Sequence, residues 1–154
     1  IHFMSKQLQD LGYVGGNFES EVIERDSISS TAFGTFAIPH AMKMHEIRTG
    51  INIMIAKEPI DWDGKKVELV MMLCFNINER YLFNELFEPI SMILVDPDNL
   101  SKVLKTKNAD EFIPAHRVQP AGGFIQNQEL GSCNTLKRRF QLRRSEAVFR
   151  YAVA

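Results

Sequence analysis

The chain has 154 residues, 45% hydrophobic and 24% charged, with a formal net charge of −1. That suits one globular domain with a core of its own, so neither a disulfide framework nor a structural metal is needed. The longest apolar run is far too short to span a bilayer, no signal-peptide pattern opens the chain, and Cys74 and Cys133 show no metal-ligand spacing. The sequence therefore predicts a cytoplasmic protein with no cofactor, no metal and no membrane partner.

Phe3, Leu8 and Leu11 are spaced for a helix over residues 1–12, which Gly12 can end. A turn follows at 13–16. Asn17 is placed to cap a second helix carrying Phe18, Val22 and Ile23, with Glu21 near its first turn. Residues 27–31 form a hydroxyl-rich polar loop, and the short apolar segment 33–38 is stopped by Pro39. Ile51, Ile53 and Ile55 fall on one face of a strand over 51–56. Residues 58–66, with Pro59, Asp63 and Gly64, read as a connection. Residues 67–75 are almost all apolar, as in a central strand covered on both faces, and Cys74 within them reads as a buried thiol. A long helix over 79–95 carries the stripe Leu82, Phe83, Leu86, Phe87, Ile90, Ile93 and Leu94. Asp96 as N-cap and Pro97 at the first helical position open another helix, running to about Lys105. Strands alternating with helices predict an α/β sandwich.

Beyond Pro114 this pattern fails. Residues 1–114 carry 11 Lys and Arg against 17 Asp and Glu, whereas residues 115–154 carry 7 against 2. The shift from acidic to basic predicts a domain over 1–114 and a basic tail over 115–154 outside it, with a basic helix over 136–150 as one form for it. Two readings of the tail stay open: electrostatic contact with nucleic acid, through Lys137-Arg138-Arg139 and Arg143-Arg144, or sequence foreign to the domain, which is preferred. The opening Ile1-His2-Phe3-Met4 reads as an N-terminally clipped piece of a longer polypeptide.

Of His2, His40, His45 and His116, His40 has the most telling setting. It follows a short apolar segment and a proline, which gives the chain a defined exit from a strand end, where α/β sheets hold their ligand sites. Upstream, Glu24-Arg25-Asp26-Ser27-Ile28-Ser29-Ser30-Thr31 offers a guanidinium fork and several hydroxyls suited to a tetrahedral oxyanion. Neutral imidazole is both a good nucleophile and a fair leaving group, as a reversible phosphoryl carrier requires.

The stretch from Val22 to His40, with Glu24-Arg25-Asp26, Ser30-Thr31, Gly34 and Ala37-Ile38-Pro39-His40, resembles the type 2 EIIA domain (mannitol/fructose class) of the bacterial sugar phosphotransferase system. Pro59-Ile60-Asp61-Trp62, the strand at 67–75 and Phe83-Asn84-Glu85-Leu86-Phe87-Glu88 look like the IIA domains fused to BglG/LicR-type transcriptional antiterminators or activators. The resemblance covers residues 3–113. It implies a mixed central sheet flanked by helices in a three-layer sandwich. It also implies a phosphotransferase-type phosphocarrier rather than a free-standing enzyme, with His40 accepting a phosphoryl group from phospho-HPr and Arg25 stabilising it.

Ser29, Ser30 and Thr31 either bond the phosphoryl oxygens or fix their own loop. Arg48, His45 and Tyr81 are secondary binding candidates; for Arg48 and His45 a surface position is the preferred reading. Trp62 is read as packing rather than docking. Two departures from the resembled pattern matter. The interval from Gly34 to His40 is one residue shorter than in the transporter form, and Asn78-Glu79-Arg80-Tyr81-Leu82 lacks the second histidine of transport-type members. Three roles follow in order of preference: a regulatory domain phosphorylated as a signal, a transporter component passing phosphate to a IIB domain, and a non-catalytic interaction module.

Overall fold

A computed structural model of the chain describes residues 1–105 and 150–153. The elements are α1 (His2–Asp10), α2 (Phe18–Ile28), β1 (Ala32–Phe33), β2 (Phe36–Ala37), β3 (Gly50–Trp62), β4 (Lys65–Cys74), a single 3-10 turn (Ile77–Glu79), α3 (Tyr81–Val95), α4 (Pro97–Leu104) and β5 (Arg150–Val153). The strands form a mixed sheet in the order β1-β2-β4-β3-β5. The pairs β1–β2 and β3–β4 are antiparallel; β2–β4 and β3–β5 are parallel.

Period-two alternation divides the core between two faces of this sheet. Val70, Met72 and Cys74 of β4 and Met54 of β3 face Met4, Leu8, Phe18 and Val22 of α1 and α2. Leu69, Met71 and Leu73 of β4, with Ile51, Ile53 and Ile55 of β3, face Ile90 and Leu94 of α3 and Leu100 and Val103 of α4. The fold is the mixed sheet with flanking helices that the resemblance implies, and it agrees with the α/β sandwich expected from the order of elements. As expected of a central strand, β4 lies between β2 and β3, and Cys74 is buried with its thiol pushed well up by loss of solvation.

Local signals hold at several ends. Gly12, at φ +71°, follows α1, and its N–H donates to Gln9 O at 2.9 Å while Tyr13 N–H reaches Leu8 O at 2.9 Å. Asp96 caps α4 by accepting from the Asp98 and Asn99 amides at 2.9 and 3.0 Å.

Other expectations are corrected. The first helix buries Met4, Ser5 and Leu8, while Phe3 is 54% exposed. Asn17 has helical dihedrals and makes no side-chain cap; its carbonyl instead accepts from the Ser20 hydroxyl. The second helix runs on to Ile28, so only residues 29–31 remain of the polar loop, and Ile23 is exposed. The segment 58–66 is not a loose connection. It is the tip of a β3–β4 hairpin, closed by the two-residue turn Asp63-Gly64, whose φ values of +51° and +80° match the twist of the strands. Pro59 is accommodated where the register shifts between Ile55 and Ile60.

Residues 150–153, within the segment read as a basic tail, run parallel to β3. The helix expected over 136–150 lies outside the described residues, except for Arg150, which begins β5. Cys133 and His116 also lie outside them. Among the described residues no helix is long and apolar enough to cross a membrane.

Candidate functional site

His40 lies just past β2 on the sheet face covered by α3. It forms an isolated parallel bridge with Leu73 of β4, and Pro39 O accepts from Leu73 N–H at 2.9 Å. Its side chain is buried, 5% exposed, and its ring packs on Phe83 (centroids 4.9 Å) and Phe87 (5.9 Å) of α3. Phe83 and Phe87 stack on each other at 4.9 Å, and Phe83 also meets Phe75 edge-on at 5.7 Å.

One contact fixes the state of this imidazole. Nδ1 lies 2.9 Å from Ile38 O. A carbonyl oxygen only accepts, so Nδ1 carries the proton and the neutral ring keeps its lone pair on Nε2. Burial lowers the imidazole pKa below its ordinary value. The bond to Ile38 opposes that shift, the Arg25 guanidinium adds to it, and Asp26 opposes it. At neutral pH the site therefore holds a neutral imidazole within the field of the Arg25 cation.

Arg25 and Asp26 occupy the last turn of α2. Arg25 Nη1 donates to Ser29 O at 2.9 Å, which holds the guanidinium across the end of its own helix. Asp26 Oδ1 accepts from both the amide and the hydroxyl of buried Thr31, and Asp26 Oδ2 accepts from Trp62 Nε1 at 2.9 Å. Ser30 Oγ accepts from the Ala32 amide at 3.3 Å. In this structure the Thr31 and Ser30 hydroxyls thus fix the loop, and Ser29 contributes its carbonyl to Arg25. Trp62, 8% exposed, is packed rather than presented at the surface.

The secondary candidates have settings of their own. His45 is half exposed, and its Nε2 is 3.7 Å from Glu21 Oε1 of α2. Arg48 stacks over the Tyr13 ring, 5.1 Å from its centroid, beside the turn between α1 and α2. Tyr81 opens α3 with its side chain half exposed.

Sequence reasoning missed Asp26 as a site residue, and it read Phe83 and Phe87 only as helix core. The four-residue spacing of the two rings was the available signal, since it puts both on one side of α3. Glu46 was also unforeseen. It is buried, its Oε2 accepts from Phe75 N–H at 3.0 Å, and burial raises its carboxyl pKa.

A buried histidine with a committed tautomer, within the field of an arginine and bridged to the central strand of a mixed sheet, defines a candidate imidazole site. Comparison with known proteins gives that class a family. Residues 1–115 match the family model described as phosphoenolpyruvate-dependent sugar phosphotransferase system, EIIA 2, and the chain belongs to that family. It is 30% identical over 114 residues to the transcriptional regulator ManR of Bacillus subtilis, and 26% over 113 residues to the probable licABCH operon regulator of the same organism. These alignments cover 73% of this chain but only 18% of each regulator. The chain is also 27% identical over 110 residues to the mannitol-specific phosphotransferase enzyme IIA component of Halalkalibacterium halodurans, covering 69% of this chain and 74% of that one. The crystal structure of IIA mannitol from Escherichia coli shares the fold, with a TM-score of 0.60 at 20% identity over 74% of this chain and 84% of that one. The complex of enzyme IIA mannitol with phosphorylated enzyme IIB mannitol, also from Escherichia coli, matches at a TM-score of 0.60 and 20% identity, covering 74% and 82%.

Proposed function

We propose that this domain accepts a phosphoryl group on Nε2 of His40 from phospho-HPr and serves as a regulatory domain of a transcriptional regulator. The observation that carries the reading is the Nδ1–H bond to Ile38 O, which commits the lone pair to Nε2. In the transfer that lone pair forms the new N–P bond as the N–P bond of the donor phosphohistidine breaks. The donor imidazole recovers its own electron pair, so no proton need move. The ring of His40 gains positive character, which the Nδ1–H···O=C bond helps to hold. Arg25 supplies the cation for the phosphoryl oxygens, and the chemistry asks little more than alignment and charge. The bound group adds a charge of roughly −2, enough to bias contacts with neighbouring domains.

Incubation with phosphoenolpyruvate, enzyme I and HPr tests this. Acid-labile phosphate should appear on the chain and be absent from His40→Ala. No phosphate, or as much on the variant, overturns the reading.

A second role, passing phosphate to a IIB domain, is favoured by the similarity to mannitol IIA components across most of their length. Against it, α3 turns Phe83 and Phe87 toward His40, and neither ring offers a donor to a phosphoryl group in transit. Transfer from the phosphorylated chain to an added IIB domain, at a rate matching a transporter IIA, would reverse the preference.

A further inference from the structure

The proposed chemistry depends on which nitrogen of His40 bears the proton and where the ring points. Both are set by the Ile38 carbonyl, and that carbonyl ends a longer run of bonds. Ile38 N–H donates to Thr31 O at 3.0 Å. Thr31 N–H donates to Asp26 Oδ1 at 2.6 Å, and the Thr31 hydroxyl donates to the same oxygen. Asp26 Oδ2 is held in turn by the indole N–H of Trp62, next to the turn of the β3–β4 hairpin.

We propose that Asp26, locked by Trp62, is a positioning residue for His40, anchoring through Thr31 and Ile38 the backbone that fixes the imidazole's tautomer and orientation. The links pass from residue to residue rather than through one amide plane. What they carry is therefore position, while the charge of Asp26 acts through space. The arrangement is over-determined. Thr31 is tied to Asp26 by two donors, and both carboxylate oxygens are engaged. Thr31 and Ile38 are buried at 2% and 0% exposure, so water has little access to the bond between them, and the bonds of Asp26 are part-buried. Pro39 stiffens the next step, since its fixed φ sets how His40 leaves Ile38. The same carboxylate shares its helical turn with Arg25, so the acceptor ring and the cation are indexed to one point at the end of α2.

This inference deepens the proposed phosphoryl acceptance at His40 and rests on it, but its test does not need transfer to occur. Nitrogen-15 NMR of the imidazole in the full chain reads tautomer and titration directly. Asp26→Asn, which keeps the shape but presents an N–H where an acceptor is required, should lose the single Nδ1–H tautomer. It should also titrate His40 at lower pH, because a negative charge has gone. Trp62→Phe, which removes only the indole donor and some bulk, should loosen the tautomer with less change in titration. Phosphoryl uptake from phospho-HPr should slow by on the order of tenfold in Asp26→Asn and by less in Trp62→Phe. Leu8→Ala, as destabilising but remote, should leave the imidazole spectrum as it is.

Should Asp26→Asn fail to fold, Trp62→Phe decides. A wild-type tautomer and titration in the variants that fold overturns the proposal. If the wild-type chain takes up no phosphate, the proposed function falls, while the spectra still decide the role of Asp26.

Discussion

On the face covered by α1 and α2, the sheet meets Met4, Leu8, Phe18 and Val22, all at most 3% exposed. On the other face α3 closes the core with Ile90 and Leu94 in its C-terminal half, while Phe83 and Phe87 remain only partly buried over His40. The first face is closed at these four residues. The other is sealed where α4 supports it and thinner where the imidazole lies. The difference teaches how a nucleophile can be kept neutral without being entombed. Hydrocarbon rings exclude enough water to lower the imidazole pKa, and in the function proposed above their incomplete burial is what gives a phosphoryl donor its approach.

That contrast can be broken in three places. Leu8→Ala on the sealed face should cost about 2–5 kcal/mol in denaturant unfolding, because the site cannot collapse around the void. The His40 titration should not move. Phe83→Ala should cost less, about 2 kcal/mol, since the ring is only partly buried. It should also raise the His40 pKa toward its ordinary value by admitting water, which NMR titration would read. A larger loss from Phe83→Ala than from Leu8→Ala would show that the site face is as tightly closed as the other.

The smallest effect is the pH dependence of the intact protein. His40 titrates lower in the folded chain than its ordinary value of 6.5. Between those two values the unfolded chain binds more protons, so stability rises with pH. The His40 contribution is thus present above pH 6.5 and is lost as pH falls through the folded value. His40→Gln should flatten that limb of a stability–pH curve, and an unchanged limb would remove His40 as its cause.

Much of this architecture is legible along the chain because its causes are local. The almost wholly apolar run at 67–75, broken only by Glu68, can only be satisfied between two layers, and β4 sits between two strands with helices on both faces. Asp96, just before Pro97, accepts its cap bonds from amides two and three residues on. The hairpin at 58–66 is not legible along the chain because Pro59 argues against a strand, whereas a register shift absorbs it and Asp63-Gly64 makes the turn. Phe3 and Ile23 show the limit of periodicity. Each is apolar and helically spaced, yet which flank of a short helix meets the sheet depends on how the helix docks.

The sequence by itself determined the family, the order of most elements, and the pairing of a histidine after Ala37-Ile38-Pro39 with an arginine fifteen positions before it. Those features lie in one continuous stretch whose spacing survives without coordinates. Only the tertiary structure decided what surrounds His40 and which of its nitrogens is free. Phe83 and Phe87 reach it from a helix more than forty residues away, Trp62 fastens Asp26 from the end of a distant strand, and His45 and Arg48 turn instead toward α2 and Tyr13. The physical reason is that a tautomer is set by a single hydrogen bond and a pKa by everything packed around it, and both are properties of the assembled sheet rather than of any local spacing.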